Sequence, residues 1–159
     1  LQARPEVDPE RIGAVGLSLG AEVILQAAAK DESIKAIVAD GASTNRIEDI
    51  LPLPAEFRVM YLAAPMWWVS DRMAALMSGV PARPLVELVE EIAPRPILFV
   101  SGNEEPETFI NRRLREHAGP AAQLWALADT GHVGAMFAHP EEYQQRMLSL
   151  FDAALLGGR

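Results

Sequence analysis

The stretch RIGAVGLSLGAEVILQAAA, Arg11 to Ala29, decides how the rest of the chain is read. IGAVGL (Ile12 to Leu17) is a continuous apolar run without polar alternation, the pattern of a strand buried on both faces of a parallel sheet. Ser18 to Lys30 is alanine-rich and long enough for a helix of three turns. At the junction, GLSLG sets Ser18 between Gly16 and Gly20. A G-x-S-x-G at a strand-to-helix turn is a nucleophile elbow: the serine sits on a strained turn that lifts its Oγ above the sheet, and the glycines let strand and helix approach closely. The helix start aims backbone N–H groups and its positive dipole end at that hydroxyl. The N–H of the next residue, Leu19, is a candidate oxyanion donor. The plainer alternative is a small-residue turn with Ser18 as an N-cap.

Working outward, Leu1 to Glu10 reads as a helix end followed by a turn, punctuated by Pro5 and Pro9. IKAIVAD (Ile34 to Asp40), PILFVSG (Pro96 to Gly102) and AQLWAL (Ala122 to Leu127) read as three further strands. Pro106 to Ala118 reads as a helix with proline in its first turn. Glu141 to Leu155 carries Tyr143, Met147, Leu150, Phe151 and Leu155 at helical spacing. Strands alternating with helices predict an α/β domain with a mostly parallel sheet of about four strands flanked by helices. Residues 46–93 interrupt that rhythm and predict a helical, lid-like insertion within a single domain, 1–159.

A nucleophilic serine needs a base, and the base needs an orienting acid; with an elbow of this kind they follow in the order serine, acid, histidine. His132 lies in ADTGHVGAM, the loop between the fourth strand and the last helix. His117, in RLREHAG, reads instead as a partner for a helix C-terminus, and His139 precedes Pro140 at a helix start. The plainer role for His132 is a loop histidine bonded to backbone. The acid is expected after the third strand, in SGNEEPE, where Glu105 stands three residues past Gly102. Glu104 and Glu107 compete with it, although Glu107 also suits a simple helix N-terminus. Asp40, at the carboxyl end of the second strand, is another candidate, or a turn cap.

Composition narrows the classes. Half of the 159 residues are hydrophobic, 23% are charged, and the net charge is −8. That is ordinary for a globular domain and argues against a nucleic-acid partner, which needs a basic stripe. With no cysteine there are no disulfides and no thiol chemistry. This favours a reducing, cytoplasmic setting. Three scattered histidines do not suggest a metal site. No run of about 18 apolar residues is present to span a membrane. The chain opens on Leu1 within an apparent helix end, so sequence upstream is expected.

GLSLG with its preceding strand, PILFVSGNEE and TGHVGAM together resemble the α/β-hydrolase superfamily, especially its bacterial dienelactone-hydrolase-like and acyl-thioesterase-like members. The resemblance covers nearly the whole chain but only the second half of that fold. It implies Ser18 as nucleophile, His132 as base, Glu105 as acid and the Leu19 N–H as one oxyanion donor, with no metal or organic cofactor. Three departures stand out. The strands expected before IGAVGL, and the loop supplying a second oxyanion donor, are absent. The acid is Glu where Asp is commoner. Ala21 stands where oligopeptidase relatives carry a second glycine. The first strand is therefore expected to be an open, apolar edge. These residues alone are expected to be poorly stable, inactive, or a fragment.

The function expected is hydrolysis of a carboxylic ester or thioester through an acyl-enzyme, with a small acyl substrate. The alternatives are a non-catalytic binding module of the same fold and an acyltransferase using the same serine. In PLPAEFRVMYLAAPMWWVSDRM the apolar and aromatic residues suit either an acyl pocket or plain helix packing; Trp67 and Trp68 are adjacent and cannot face the same way on a helix.

Overall fold

The computed structural model describes residues 4–43, 46–57 and 83–157, with positions 62, 65, 66, 68, 69, 72, 73 and 76 between them. Four strands, β1 (Ile12–Leu17), β2 (Ile34–Asp40), β3 (Ile97–Ser101) and β4 (Gln123–Ala126), form an all-parallel sheet in the order β1-β2-β3-β4. The helices are α1 (Leu19–Lys30), α2 (Ile47–Ile50), α3 (Leu85–Ile92), α4 (Glu105–His117), α5 (Ala135–Ala138) and α6 (Pro140–Leu155).

Strand order equal to chain order has a geometric consequence. Each crossover steps the same way across the sheet, and crossovers share one hand, so their helices collect on one face. Ala21, Leu25 and Ala28 of α1, Leu85, Leu88, Val89 and Ile92 of α3, and Ile110 and Leu114 of α4 pack there on Ile37, Ala39, Ile97 and Phe99. The period-2 alternation of the strands sends Ala36, Val38, Leu98, Val100 and Trp125 to the opposite face. Tyr143 and Leu150 of α6 cover them, with Met147 and Phe151 alongside.

α6 reaches β1 where Gly13 leaves room: a Cβ on Gly13 would lie 2.6 Å from the Phe151 ring. Beyond that contact Val15 and Leu17 are 41% and 37% exposed. β1 is an edge of the described sheet and β4 is the other.

The expected insertion, 46–93, is of mixed character. Its last part, α3, is a core crossover helix, and Ile50 and Leu53 are buried in the same cluster. Asp49 ties the two pieces by accepting the N–H of Leu85 at 2.8 Å and of Val86 at 3.3 Å, capping an α3 start whose N-cap is Pro84. Trp68 is exposed, with the Arg72 guanidinium over its ring at 5.3 Å. Trp67 and most of 58–82 lie outside the described residues, as do Leu1 to Ala3. No helix among the described residues is long and apolar enough to cross a membrane.

Candidate active site

Three connections meet above the carboxyl ends of the strands. The first is the β1–α1 turn. Ser18 has φ 53° and ψ −124°, a left-handed backbone that a non-glycine residue adopts only under constraint. Its side chain makes no cap bond to α1, so the hydroxyl is free of the N-cap role. Its N–H donates to the Asp40 carbonyl at 2.8 Å and its carbonyl accepts from Ala21. Of the two flanking glycines only Gly16 is forced by space: a Cβ there would lie 2.3 Å from the Gly20 carbonyl oxygen, whereas one on Gly20 meets nothing within 4 Å. Leu19 is the first residue of α1, where a backbone N–H has no acceptor within the helix.

The second connection carries His132. Its Nε2 lies 2.8 Å from Ser18 Oγ. The next residue, Val133, has φ 49°, costly for a β-branched side chain. Asn103 clips this loop to the acid turn: its N–H donates to the Thr130 carbonyl at 2.8 Å and its Nδ2 to the Ala128 carbonyl at 3.3 Å.

The third connection is the β3–α4 turn, and here the structure corrects the expectation. The carboxylate hydrogen-bonded to His132 Nδ1 is Glu107, not Glu105. The helix begins at Glu105, one residue earlier than the sequence pattern suggests. Glu105 thus occupies the first helical position and points to solvent. Glu107 stands two residues on, at the position where a side chain folds back over its own helix start. Its Oε1 accepts the Gly102 N–H at 2.9 Å, which leaves Oε2 for the imidazole. The helix-terminus role and the histidine-bonding role belong to the same residue. The Glu104 carboxylate accepts the backbone N–H of His132, at 3.4 Å, and makes no hydrogen bond to the imidazole.

Asp40 makes no hydrogen bond to His132; its side chain is buried on the α6 face of β2. Burial, chiefly, raises its pKa to about 6 from 3.8. The other histidines lie elsewhere: His117 pairs with Glu90 at 2.7 Å and His139 with Asp129 at 2.8 Å.

Ser18, His132 and Glu107 thus form one continuous hydrogen-bonded chain. Glu107 is 5% exposed, and a carboxylate bonded to Nδ1 keeps the proton on that nitrogen. Nε2 is then the lone-pair nitrogen facing the serine hydroxyl. Such a relay can take a proton from Oγ as the oxygen attacks an acyl carbon. Asn103 and Asn111 are not singled out by the sequence pattern, and Glu107 stands there only as a competitor of Glu105; the available signal for it is a Glu at the third position of a helix following a strand.

The architecture defines the α/β-hydrolase fold, present in part. Solved structures similar to the chain share that fold. One is the esterase Pf2001 of Pyrococcus furiosus, at a TM-score of 0.58 and 20% identity, over 92% of this chain and 54% of that one. Another is the α/β hydrolase GrgF of Penicillium sp. sh18, at 0.64 and 22%, over 98% and 68%. A third is the dienelactone hydrolase of Anabaena variabilis, at 0.56 and 18%, over 91% and 50%. The chain spans about half the length of the Pf2001 esterase. No family sequence model and no curated protein sequence matches it.

Proposed function

We propose that this chain carries the catalytic relay of a serine hydrolase acting on a carboxylic ester or thioester. The observation that carries this reading is the unbroken Ser18–His132–Glu107 hydrogen-bond chain, with Ser18 on a strained turn at a helix start. Hydrolases and esterases among the structural neighbours support it.

In this mechanism Ser18 Oγ attacks the acyl carbonyl carbon as its proton passes to His132 Nε2. Negative charge collects on the carbonyl oxygen, where the Leu19 N–H is one donor. Glu107 holds the imidazole orientation and stabilises the imidazolium. His132 then hands the proton to the departing alcohol or thiol, leaving an acyl-serine. Water, deprotonated by the same nitrogen, resolves it to the free acid.

The test is covalent labelling of the full-length protein with a fluorophosphonate probe, beside Ser18→Ala and His132→Ala, with p-nitrophenyl ester turnover in parallel. Labelling and turnover lost in both variants is the expected result. A folded protein that neither labels nor turns over ester would overturn the reading and leave a non-catalytic module of the same fold.

A further inference from the structure

Three consecutive residues at the exit of β2 each hold a different member of the relay. The Asp40 carbonyl accepts the Ser18 N–H at 2.8 Å. Gly41, at φ +64°, leaves room for the imidazole: a Cβ there would come within 2.8 Å of His132 Cε1 and 2.9 Å of Nδ1. The Ala42 carbonyl accepts Asn111 Nδ2 at 2.8 Å, and that same nitrogen donates to the Glu107 carbonyl at 2.9 Å. Asn111 is fully buried, so this link fixes the helical turn that carries Glu107. The Gly41 N–H bonds the Val100 carbonyl at 2.8 Å and anchors the tripeptide to β3.

The side chain rooted in this tripeptide is an unexpected one. Asp40 is 1% exposed, and neither of its carboxyl oxygens reaches hydrogen-bond geometry with any described residue. The Tyr143 phenol of α6, buried on the same face and likewise without a hydrogen-bond partner among the described residues, favours the charged carboxylate in part. A buried, incompletely bonded carboxyl costs stability, and an apolar side chain would serve the sheet better. The position therefore calls for a role other than packing.

We propose that Asp40 is a positioning residue: set against Tyr143, it governs the 40–42 backbone and through it the alignment of Ser18, His132 and Glu107. This inference rests on the serine-hydrolase reading. The titratable groups facing Asp40 are Tyr143 from α6, Glu107 from α4 and His132 from the loop before α5. Burial and Glu107 favour its neutral form, whereas Tyr143 and His132 favour the charged one, and it ionises near pH 6. The platform beneath the relay thus changes charge in the mildly acidic range.

The experiment compares Asp40→Asn and Tyr143→Phe with the parent in the full-length protein. It reads the pH dependence of fluorophosphonate labelling, kcat and KM for a p-nitrophenyl ester, and the NMR titration of the His132 Cε1 proton. Asp40→Asn is expected to keep labelling but lose about tenfold in kcat at unchanged KM, the scale of a small misalignment. It should also remove the inflection that Asp40 contributes near pH 6 to the labelling rate and the His132 shift, leaving the step that belongs to His132 itself. Tyr143→Phe should move that inflection to higher pH, because the phenol helps hold the carboxylate. Labelling profiles and His132 titrations that superimpose on the parent would overturn the proposal. If Asp40→Asn does not fold, an unmoved inflection in Tyr143→Phe overturns it alone. A parent that never labels refutes the hydrolase reading instead, and the His132 titration still decides whether Asp40 acts on the imidazole.

Discussion

The β1–α1 and β3–α4 turns do the same topological job, leading from a parallel strand into a helix at the same end of the sheet. They place their functional side chains by opposite means. At the first, Ser18 is held at φ 53° with no side-chain cap, and Gly16 presses on the Gly20 carbonyl. At the second the backbone is relaxed, with Glu104 at φ −76°, and side chains close the turn. Glu107 takes the Gly102 N–H, and Thr108 Oγ1 donates to the Gly102 carbonyl at 2.9 Å. One side chain is aimed by backbone strain, the other by the residue at which a helix begins. Strain demands small residues at fixed offsets. Helix phase leaves no such mark.

The largest effect that would break this comparison is at the acid. Glu107→Gln is expected to cut ester turnover by about 10³–10⁴-fold, as loss of the orienting acid does in such relays. Glu105→Gln should stay within about twofold of the parent, since that side chain lies in solvent. Steady-state kinetics on the two variants decides it, and equal losses would mean the helix starts elsewhere in solution.

The next effect concerns Asp40 and is one of stability. Its pKa rises on folding from 3.8 to about 6, so the fold favours the neutral form. The stability this brings is complete below about pH 4 and is lost as pH rises through 6. A difference of about two pH units corresponds to about 3 kcal/mol. Urea unfolding at pH 4 and pH 7 should show that loss in the parent and a flatter dependence in Asp40→Asn.

Smaller effects separate the two glycines of the elbow. Gly16→Ala is expected to destabilise by about 1–3 kcal/mol, because its methyl meets backbone that has nowhere to move. Gly20→Ala, on an open helical position, should be neutral or stabilise by up to about 1 kcal/mol. Denaturant midpoints give both numbers, and a common outcome would show that the turn can relax. The smallest change is at the edge strand: Val15→Lys should leave the unfolding midpoint within about 0.5 kcal/mol and reduce self-association seen by light scattering.

The same contrast explains what was legible in the sequence. β2 and β3 announce themselves as short apolar runs because both of their faces meet side chains, and β1 and β4 do so although part of each is exposed. Ser18 and His132 stand out because glycines mark the tight turns around them. Counting from Gly102 points to Glu105, whereas the carboxylate bonded to His132 is Glu107, because the count ignores where α4 begins and Glu104, Glu105 and Glu107 are chemically alike. α3 falls inside the expected insertion because the side chain that caps it, Asp49, lies 36 residues before Leu85 in the chain. The Asn111 link to Ala42 spans 69 residues and has no local signature either.

The strict strand order has a last consequence, in the order of synthesis. A ribosome delivers β1, α1, β2, α3, β3, α4 and β4 in the sequence in which they pair and pack. One face of the sheet can therefore close while the chain is still emerging. The other face waits for Pro140–Leu155, among the described residues its only helical cover of that length. Until that helix is free, Val38, Leu98 and Val100 lack the cover that Tyr143 and Leu150 give them, and in that interval a chaperone or a neighbouring nascent chain competes with α6 for the same surface.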